Sequence, residues 1–324
     1  MRSPHVSSLI AAGMWCASQL CAQTQSVPEA NPARPTVATP ATLTPVGYLQ
    51  FESGGFYADA SPEFSNQFSI NQVTKLTVAP RLQFLGMFGP LANTHRAAGG
   101  IGEGNQPGGI AAAVQVVVLP GKGAKPTISL SYAHTLYAGS APDIDIGSFD
   151  QSAIFLWSED LGGFHFDVNG IFNQQSPGTA RRGQFGQTMS ISHPLGPFTI
   201  AGELWHFTQP STRGNAVGNL WALSYAVRKN LVIDAGFNHG FTSSSTQWEV
   251  FGGFTYLLPH RLWRSRAQPK VGHDARSCET INGQLLGEEP VRSRSVARPA
   301  ARMTASETCC AVSKSVRREM WAVR

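Results

Sequence analysis

The 324-residue chain has few charged side chains and no long apolar run. Asp, Glu, Lys and Arg make up 14% of the residues, whereas soluble proteins usually contain about 25%. No uninterrupted apolar stretch approaches the roughly 18 residues of a transmembrane helix, so no such helix is predicted. Low charge without a spanning helix is unusual for a soluble protein. A β-barrel explains both absences, because half of each strand faces lipid and only the lumen and the loops are wet.

Cysteine is missing from the middle of the chain. No cysteine lies between Ala22 and Ser277, so this stretch has no disulfide and no thiol chemistry. The five cysteines are Cys16, Cys21, Cys278, Cys309 and Cys310, and the last three match no zinc pattern. His165 and Asp167 share a strand face, but two ligands alone do not make a metal site. No metal and no cofactor is predicted.

What the sequence does contain, over residues 48–258, is a repeated unit of about ten residues with alternating apolarity, followed by a turn. Short turns alternate with longer loops rich in Gly, Pro, Ser and Asn. The short turns include 159–162, 193–196 and 228–230, and the longer loops include 58–66, 89–109, 138–148, 173–183 and 209–218. Outer-membrane barrels have this asymmetry, with tight periplasmic turns and long outer loops.

We therefore predict an all-β fold, an antiparallel transmembrane β-barrel of about 12 strands over residues 46–258. An even number of strands is what single-chain bacterial barrels require. The predicted strands are 46–57, 67–72, 76–88, 111–119, 126–138, 149–158, 163–173, 183–192, 197–207, 218–228, 230–241 and 247–258.

The chain ahead of the barrel is predicted to have two parts. Residues 1–22 have a weakly basic start, a short apolar core and a plausible cleavage site after Ala22, which is typical of a signal peptide. Residues 23–45 are rich in Pro, Ala and Thr. They are predicted to be an extended or disordered periplasmic linker that is not part of a core.

Residues 259–324 are predicted to be a basic, disordered tail. They contain eleven Arg and two Lys against one Asp and five Glu, a net charge of +7 in a chain whose total is +5. A basic tail suits nucleic-acid binding. An exported protein does not normally meet nucleic acid, however, and the tail lacks interleaved aromatic residues for stacking. No nucleic-acid partner is predicted.

Strand alternation predicts which side chains line the lumen. Apolar residues of each strand share one face and polar residues the other, with Ile171, Val232, Phe251 and Leu257 as exceptions. The predicted lumen residues are Glu52, Arg81, His165, Asp167, Asn169, Glu203, Asp234, Asn238 and Glu249. Carboxylates outnumber bases among them, which would favour cations or polar solutes that carry hydrogen-bond donors. The alternative is an interior filled by a buried polar network.

Catalysis finds little support in the sequence. His134 and His206 are predicted to face outward, but neither has a matching serine on a neighbouring strand, and there is no G-x-S-x-G motif. No catalytic residue is assigned and the chain is not predicted to be an enzyme. Two alternatives stay open: a lipid-modifying hydrolase of the outer membrane and a non-catalytic structural β-barrel.

The segments 145–150, 157–167, 202–204, 234–236 and 248–256 together resemble a family of outer-membrane proteins. This is the family labelled "MetA-pathway of phenol degradation", and the resemblance covers residues 48–258. It implies barrel-forming transporters or channels, some linked to the catabolism of aromatic compounds, with Asp167, Glu203 and Asp234 lining the lumen. It carries no catalytic residues, and the long basic tail departs from the family pattern.

The closing strand, with Gly253, Tyr256 and Leu258, also resembles the signal read by the barrel-assembly machinery. The sequence thus predicts a channel or transporter in the bacterial outer membrane for small molecules, aromatic or hydrophobic ones included. Its predicted partners are the lipid bilayer, the assembly machinery and a small-molecule solute. The predicted lumen carboxylates would tune selectivity, and the 89–109 loop would gate.

Overall fold

The computed structural model describes residues 27–96, 103–121, 125–141, 149–175, 182–208 and 214–263. The predicted signal peptide and all but five residues of the predicted tail lie outside these ranges. Among the residues described, no helix is long and apolar enough to cross a membrane. The strands are β1 (Leu49–Asp59), β2 (Phe64–Ala79), β3 (Leu82–Arg96), β4 (Gly104–Gln106), β5 (Ile110–Leu119), β6 (Thr127–Tyr137), β7 (Gln151–Leu161), β8 (Phe164–Gln175), β9 (Arg182–Leu195), β10 (Phe198–Phe207), β11 (Ala216–Arg228), β12 (Leu231–Gly240) and β13 (Trp248–Leu257).

Twelve of these strands form a closed antiparallel barrel. Each long strand pairs with the next long strand along the chain, and β1 pairs with β13 to close the sheet. The short strand β4 pairs with the C-terminal part of β3. Closure leaves no long strand with an unpaired edge, which is how a sheet satisfies its backbone groups within lipid. The prediction of a 12-stranded barrel is confirmed.

The two ends of the barrel differ in their connections. At one end, which we call the short-turn end, four connections have two residues each, at 80–81, 162–163, 196–197 and 229–230. Gly162 and Gly163 have φ of +61° and +85°, the left-handed conformation that a tight two-residue hairpin turn requires. A fifth connection at the short-turn end, 120–126, has seven residues. The other end, the long-loop end, has connections of four to thirteen residues, so the predicted alternation of short and long connections holds for most of the barrel. The barrel begins at Leu49 and ends at Leu257, both at the short-turn end.

The outer wall is apolar and the inner wall is polar. Outward side chains such as Phe155 and Leu204 are 44% and 54% exposed, which suits contact with lipid acyl chains. Inward side chains such as Gln50, Gln115 and Gln184 are buried completely or nearly so. The predicted alternation of faces is confirmed.

The predicted bounds of the second and third strands were wrong. β2 extends to Ala79, and β3 begins only at Leu82. The pairing of β2 with β3 shifts register in three places, one of them between Ile70 and Gln72, and such bulges interrupt period-two alternation. Because β3 begins only after it, Arg81, which was predicted to line the lumen, lies exposed in the turn at 80–81.

Part of the predicted 89–109 loop is strand. β3 continues to Arg96, and β4 pairs with its residues Ala92, Asn93 and Thr94. Residues 97–102 lie outside the described ranges, so the gate predicted for this loop stays a prediction.

The prediction that the proline-rich lead is not part of a core was wrong for residues 30–44. This segment forms neither helix nor strand, and the chain bends at residues 35, 37, 38, 41 and 42. It lies inside the barrel, and its Ala38 and Ala41 are fully buried. We call residues 30–44 the lumen segment.

Candidate functional site in the barrel lumen

The lumen segment depends on the barrel wall for its hydrogen bonds. A buried chain that pairs with no strand must find other partners for its backbone N–H groups, because unpaired groups are costly when buried. Prolines at positions 32, 35 and 40 remove three of those donors. Most of the remaining donors reach side chains on the inner wall.

The segment starts at the short-turn end. The Ala30 amide donates to the carbonyl of Lys229 in the turn at 229–230, at 2.8 Å. Asn31 and the Gln50 side chain then exchange two hydrogen bonds, of 2.9 Å from the Asn31 amide and 2.7 Å to the Asn31 carbonyl. These contacts place the beginning of the segment against β1.

Glu52 holds the next residue and is itself held by a cation. Its carboxylate accepts from the Ala33 amide at 3.1 Å and pairs with Lys75 Nζ at 2.5 Å. Both side chains are almost completely buried. A buried charge is costly unless it is paired and hydrogen-bonded, and the geometry here meets both conditions.

Arg34 reaches across to β12. Its Nε and Nη2 donate to the two carboxylate oxygens of Asp234 at 3.3 and 3.1 Å. This is a bidentate ion pair, the strong form of an arginine–carboxylate contact.

Glu203 on β10 binds the middle of the segment. Its two carboxylate oxygens accept from the consecutive amides of Val37 and Ala38, each at 2.7 Å. Next along the chain, the Asn169 side chain accepts from the Thr39 amide at 2.6 Å and donates to the Thr39 carbonyl at 2.9 Å. The Asn169 side chain thus forms the pair of backbone hydrogen bonds that a neighbouring β-strand would normally form.

Asp167 on β8 contacts the segment through Ser158 on β7. The Ser158 Oγ accepts from the Ala41 amide at 2.7 Å and donates to Asp167 at 2.5 Å. The same Asp167 oxygen, Oδ1, lies 3.2 Å from His165 Nε2, and His165 Nδ1 in turn lies 2.6 Å from Asp160. Asp160 is 80% exposed, so this chain of polar groups runs from the rim of the barrel to the lumen segment.

The end of the segment contacts the strands β6, β5 and β3. The Ala41 carbonyl accepts from Ser129 on β6 at 2.6 Å and from Gln115 on β5 at 3.3 Å. The Thr44 amide donates to Gln83 on β3 at 3.0 Å. The successive contacts follow β1, β12, β10, β8, β7, β6, β5 and β3, so the lumen segment circles the inner wall. Most of its anchors lie in the short-turn half of their strands.

A cavity of about 360 Å³ lies beside the lumen segment. Its walls include the aromatic rings of Phe56, Trp205, Phe207 and Phe251, and its polar lining includes Arg34, Glu52, Asn238 and Glu249. Trp205 donates from Nε1 to Asn238 at 2.8 Å. The cavity is therefore largely apolar with a few fixed polar groups, the usual make-up of a small-molecule site.

Two of the four exceptions to strand alternation, Phe251 and Ile171, form part of this apolar interior. Phe251 points inward and packs with Leu220 and with Val37 of the lumen segment. Ile171 packs beside Val37 against the buried cluster that contains Trp205. Inward apolar residues that interrupt a polar face thus mark where the lumen segment lies, a signal that the sequence carried.

The nine predicted lumen residues divide into three groups. Seven lie buried on the inner wall, namely Glu52, Asp167, Asn169, Glu203, Asp234, Asn238 and Glu249. His165 is only half-buried, with 34% of its side chain exposed, and Arg81 lies in the turn described above. Sequence reasoning missed Arg34 and several wall anchors, namely Gln50, Lys75, Gln83, Gln115, Ser129 and Ser158. Alternation could have found the wall anchors, but no local pattern pointed to Arg34.

No family model matches the sequence, and no curated protein matches it either. Solved structures do match. An outer membrane channel from Pseudomonas putida F1 is 13% identical, with 71% of this chain and 100% of that chain covered and a TM-score of 0.51. The chain has the fold of an outer-membrane β-barrel. The KdgM porin in complex with disordered oligogalacturonate is 12% identical over 64% of this chain and 98% of that one, with a TM-score of 0.45. The CymD monoaromatic hydrocarbon channel is 9% identical over 66% of this chain and 88% of that one, with a TM-score of 0.38.

The two histidines that the sequence predicted to face outward, His134 and His206, lie on the outer wall. His206 contacts Gln187 of β9, with 2.6 Å between Nδ1 and Oε1. His134 on β6 is exposed and pairs in register with Ala112 and Gln151.

Proposed function

We propose that this protein is a channel of the bacterial outer membrane that passes small solutes through a lumen narrowed by its own N-terminal residues. The observation that carries the proposal is the circuit of the lumen segment around the inner wall, with a cavity beside it. The closed barrel and its apolar outer wall support a place in the membrane. Bacterial export and the barrel-assembly machinery would bring the chain there.

The proposed solutes are small because the lumen is narrow. Barrels of eight strands are filled by side chains, and porins of about 16–18 strands hold an aqueous channel. A 12-stranded barrel lies between these sizes, and the lumen segment reduces its opening further.

We propose that aromatic or hydrophobic solutes are included. The cavity of about 360 Å³ has four aromatic rings in its wall, and an apolar cavity of about 150 Å³ is large enough for benzene. The resemblance to the family labelled for phenol degradation favours the same class of solute.

The role proposed for the lumen carboxylates changes with the geometry. Glu203 and Asp234 contact the lumen segment directly, and Asp167 contacts it through Ser158. We propose that these three carboxylates first of all anchor the segment, and that they influence ion selectivity through its position.

Planar-bilayer recordings test the channel directly. We expect a small conductance from the wild type and a conductance several-fold larger from a variant lacking residues 30–44, because the deletion removes the constriction. A variant lacking residues 264–324 serves as the control and should conduct like the wild type. Absence of ion conduction from all three proteins would overturn the proposal.

The combined variant Asp167→Asn, Glu203→Gln and Asp234→Asn separates anchoring from selectivity. Loss of anchoring raises its conductance toward that of the deletion variant. A lower cation preference at unchanged conductance would instead show that the carboxylates act only as selectivity groups.

A further inference from the structure

The Arg34 side chain lies in a slot with three distinct parts. Asp234 supplies a bidentate carboxylate, at 3.1 and 3.3 Å. The ring of Phe56 lies with its centre 5.0 Å from the guanidinium carbon. Gly54 and Gly253, paired across the β1–β13 seam, form the floor. A β-carbon at Gly54 would overlap the guanidinium group, so the glycine leaves the space that the group fills.

All three parts suit a guanidinium group. A guanidinium is planar, binds carboxylates through two parallel N–H groups, stacks on aromatic rings and is weakly hydrated. An ammonium group presents a compact, strongly hydrated charge that uses neither the flat floor nor the bidentate geometry. The slot is also dry, since the side chains of Arg34 and Asp234 are only 12% and 2% exposed.

The slot opens onto the cavity described above. Arg34 and Phe56 line both the slot and the cavity. A solute in the cavity is therefore next to the slot, and it could enter the slot once Arg34 had left. Arg34 belongs to the lumen segment, which is held in place by hydrogen bonds, by ion pairs and by the apolar packing of Val37.

We propose that Asp234, Phe56 and the glycine floor form a guanidinium-binding site that Arg34 fills in cis, and for which a guanidinium-bearing solute competes. This inference rests on the proposed channel function, because a solute must reach the lumen to compete. Binding of such a solute would displace Arg34 and loosen the beginning of the lumen segment.

Calorimetric titration of methylguanidinium into the detergent-purified full-length protein tests the site. Arg34→Ala empties the slot and should bind methylguanidinium, whereas Arg34→Ala with Asp234→Asn should bind it about 30-fold more weakly or not at all, because the carboxylate is lost. Methylammonium should bind Arg34→Ala more weakly than methylguanidinium does. Equal affinity of the two variants for methylguanidinium, or no binding to Arg34→Ala, would overturn the inference.

The glycine floor gives a second test with a matched control. Adding Gly54→Ala to Arg34→Ala should abolish binding, because the new methyl group fills the slot. Adding Gly252→Ala should leave binding unchanged, since the nearest atom to a β-carbon there lies at 3.6 Å, an ordinary contact. If both alanines reduce binding equally, the slot is not the site.

A third measurement uses the wild type and does not depend on how the variants fold. Methylguanidinium should accelerate hydrogen exchange at the Ala33 amide, and unchanged exchange at saturating concentration would count against the inference. Neither titration nor exchange requires conduction. Binding by a protein that conducts no ions would overturn the channel proposal alone, and conduction without binding would overturn this inference alone.

Discussion

Carboxylates of the inner wall bind backbone amides as well as cations. The clearest case is Glu203, which is buried and accepts from Val37 and Ala38 through its two oxygens. Backbone amides carry no side-chain identity, so this contact fixes the position of the segment without requiring particular residues there.

Glu203→Gln should release the middle of the lumen segment. The glutamine keeps one acceptor oxygen but turns its NH₂ group toward the second amide, which leaves a buried donor unsatisfied at a cost of about 1–3 kcal/mol. We expect faster hydrogen exchange at Val37 and Ala38, read by mass spectrometry. Thr188→Ala is the control, because the buried Thr188 hydroxyl has no hydrogen-bond partner among the described residues. Equal effects of the two substitutions would contradict the anchoring role.

At the scale of the strand, the position of a residue along the barrel axis decides how much a charge on the outer wall destabilises the folded barrel. β7 carries the outward apolar residues Phe155 near its middle and Leu161 at its short-turn end, 44% and 59% exposed. Both face the same side of the same strand, so they differ mainly in depth.

Phe155→Lys should destabilise the folded barrel in lipid vesicles by about 2–4 kcal/mol, because the lysine charge lies near the middle of the bilayer. Leu161→Lys should cost about 0–1 kcal/mol, since the ammonium group reaches water at the interface. Urea titration followed by heat-modifiable gel mobility measures both. A similar loss of stability in the two variants would show that the short-turn end does not lie at an interface.

The elements also show what the sequence could predict. β8 keeps one register over its whole length, so alternation correctly predicted that Asp167 and Asn169 face the lumen. β2 and β3 contain bulges, which broke the pattern, and Arg81 was misplaced because it lies in the turn between these two strands. The lumen segment was missed for a different reason. Its partners lie on strands from all around the barrel, and no spacing within residues 30–44 reports them.

At the scale of the whole molecule, residues beyond β13 complete the closure of the barrel at the short-turn end. The Leu262 amide donates to the Gly47 carbonyl at 2.7 Å, and Arg261 Nε donates to the Val46 carbonyl at 3.0 Å. The chain leaving the last strand is thereby joined to the chain entering the first.

A protein ending at Trp263 should therefore give the same heat-modifiable barrel as the full chain, with the same unfolding temperature. A protein ending at Leu258 loses the Arg261 and Leu262 contacts and should unfold at a lower temperature, since each lost hydrogen bond contributes about 0.5–1.5 kcal/mol. Differential scanning fluorimetry in detergent compares the two. If truncation at Trp263 already prevents folding, the basic tail takes part in assembly.

The short connection between the lumen segment and the barrel has a consequence for how strongly a solute must bind. Only residues 45–48 separate Thr44 from β1, so the segment is a ligand tethered to its own receptor. Short tethers keep a ligand at an effective concentration on the order of millimolar. A competing solute of equal intrinsic affinity must reach a similar concentration before it displaces the segment. The length of the tether, more than the shape of the lumen, would then set the solute level at which the channel opens.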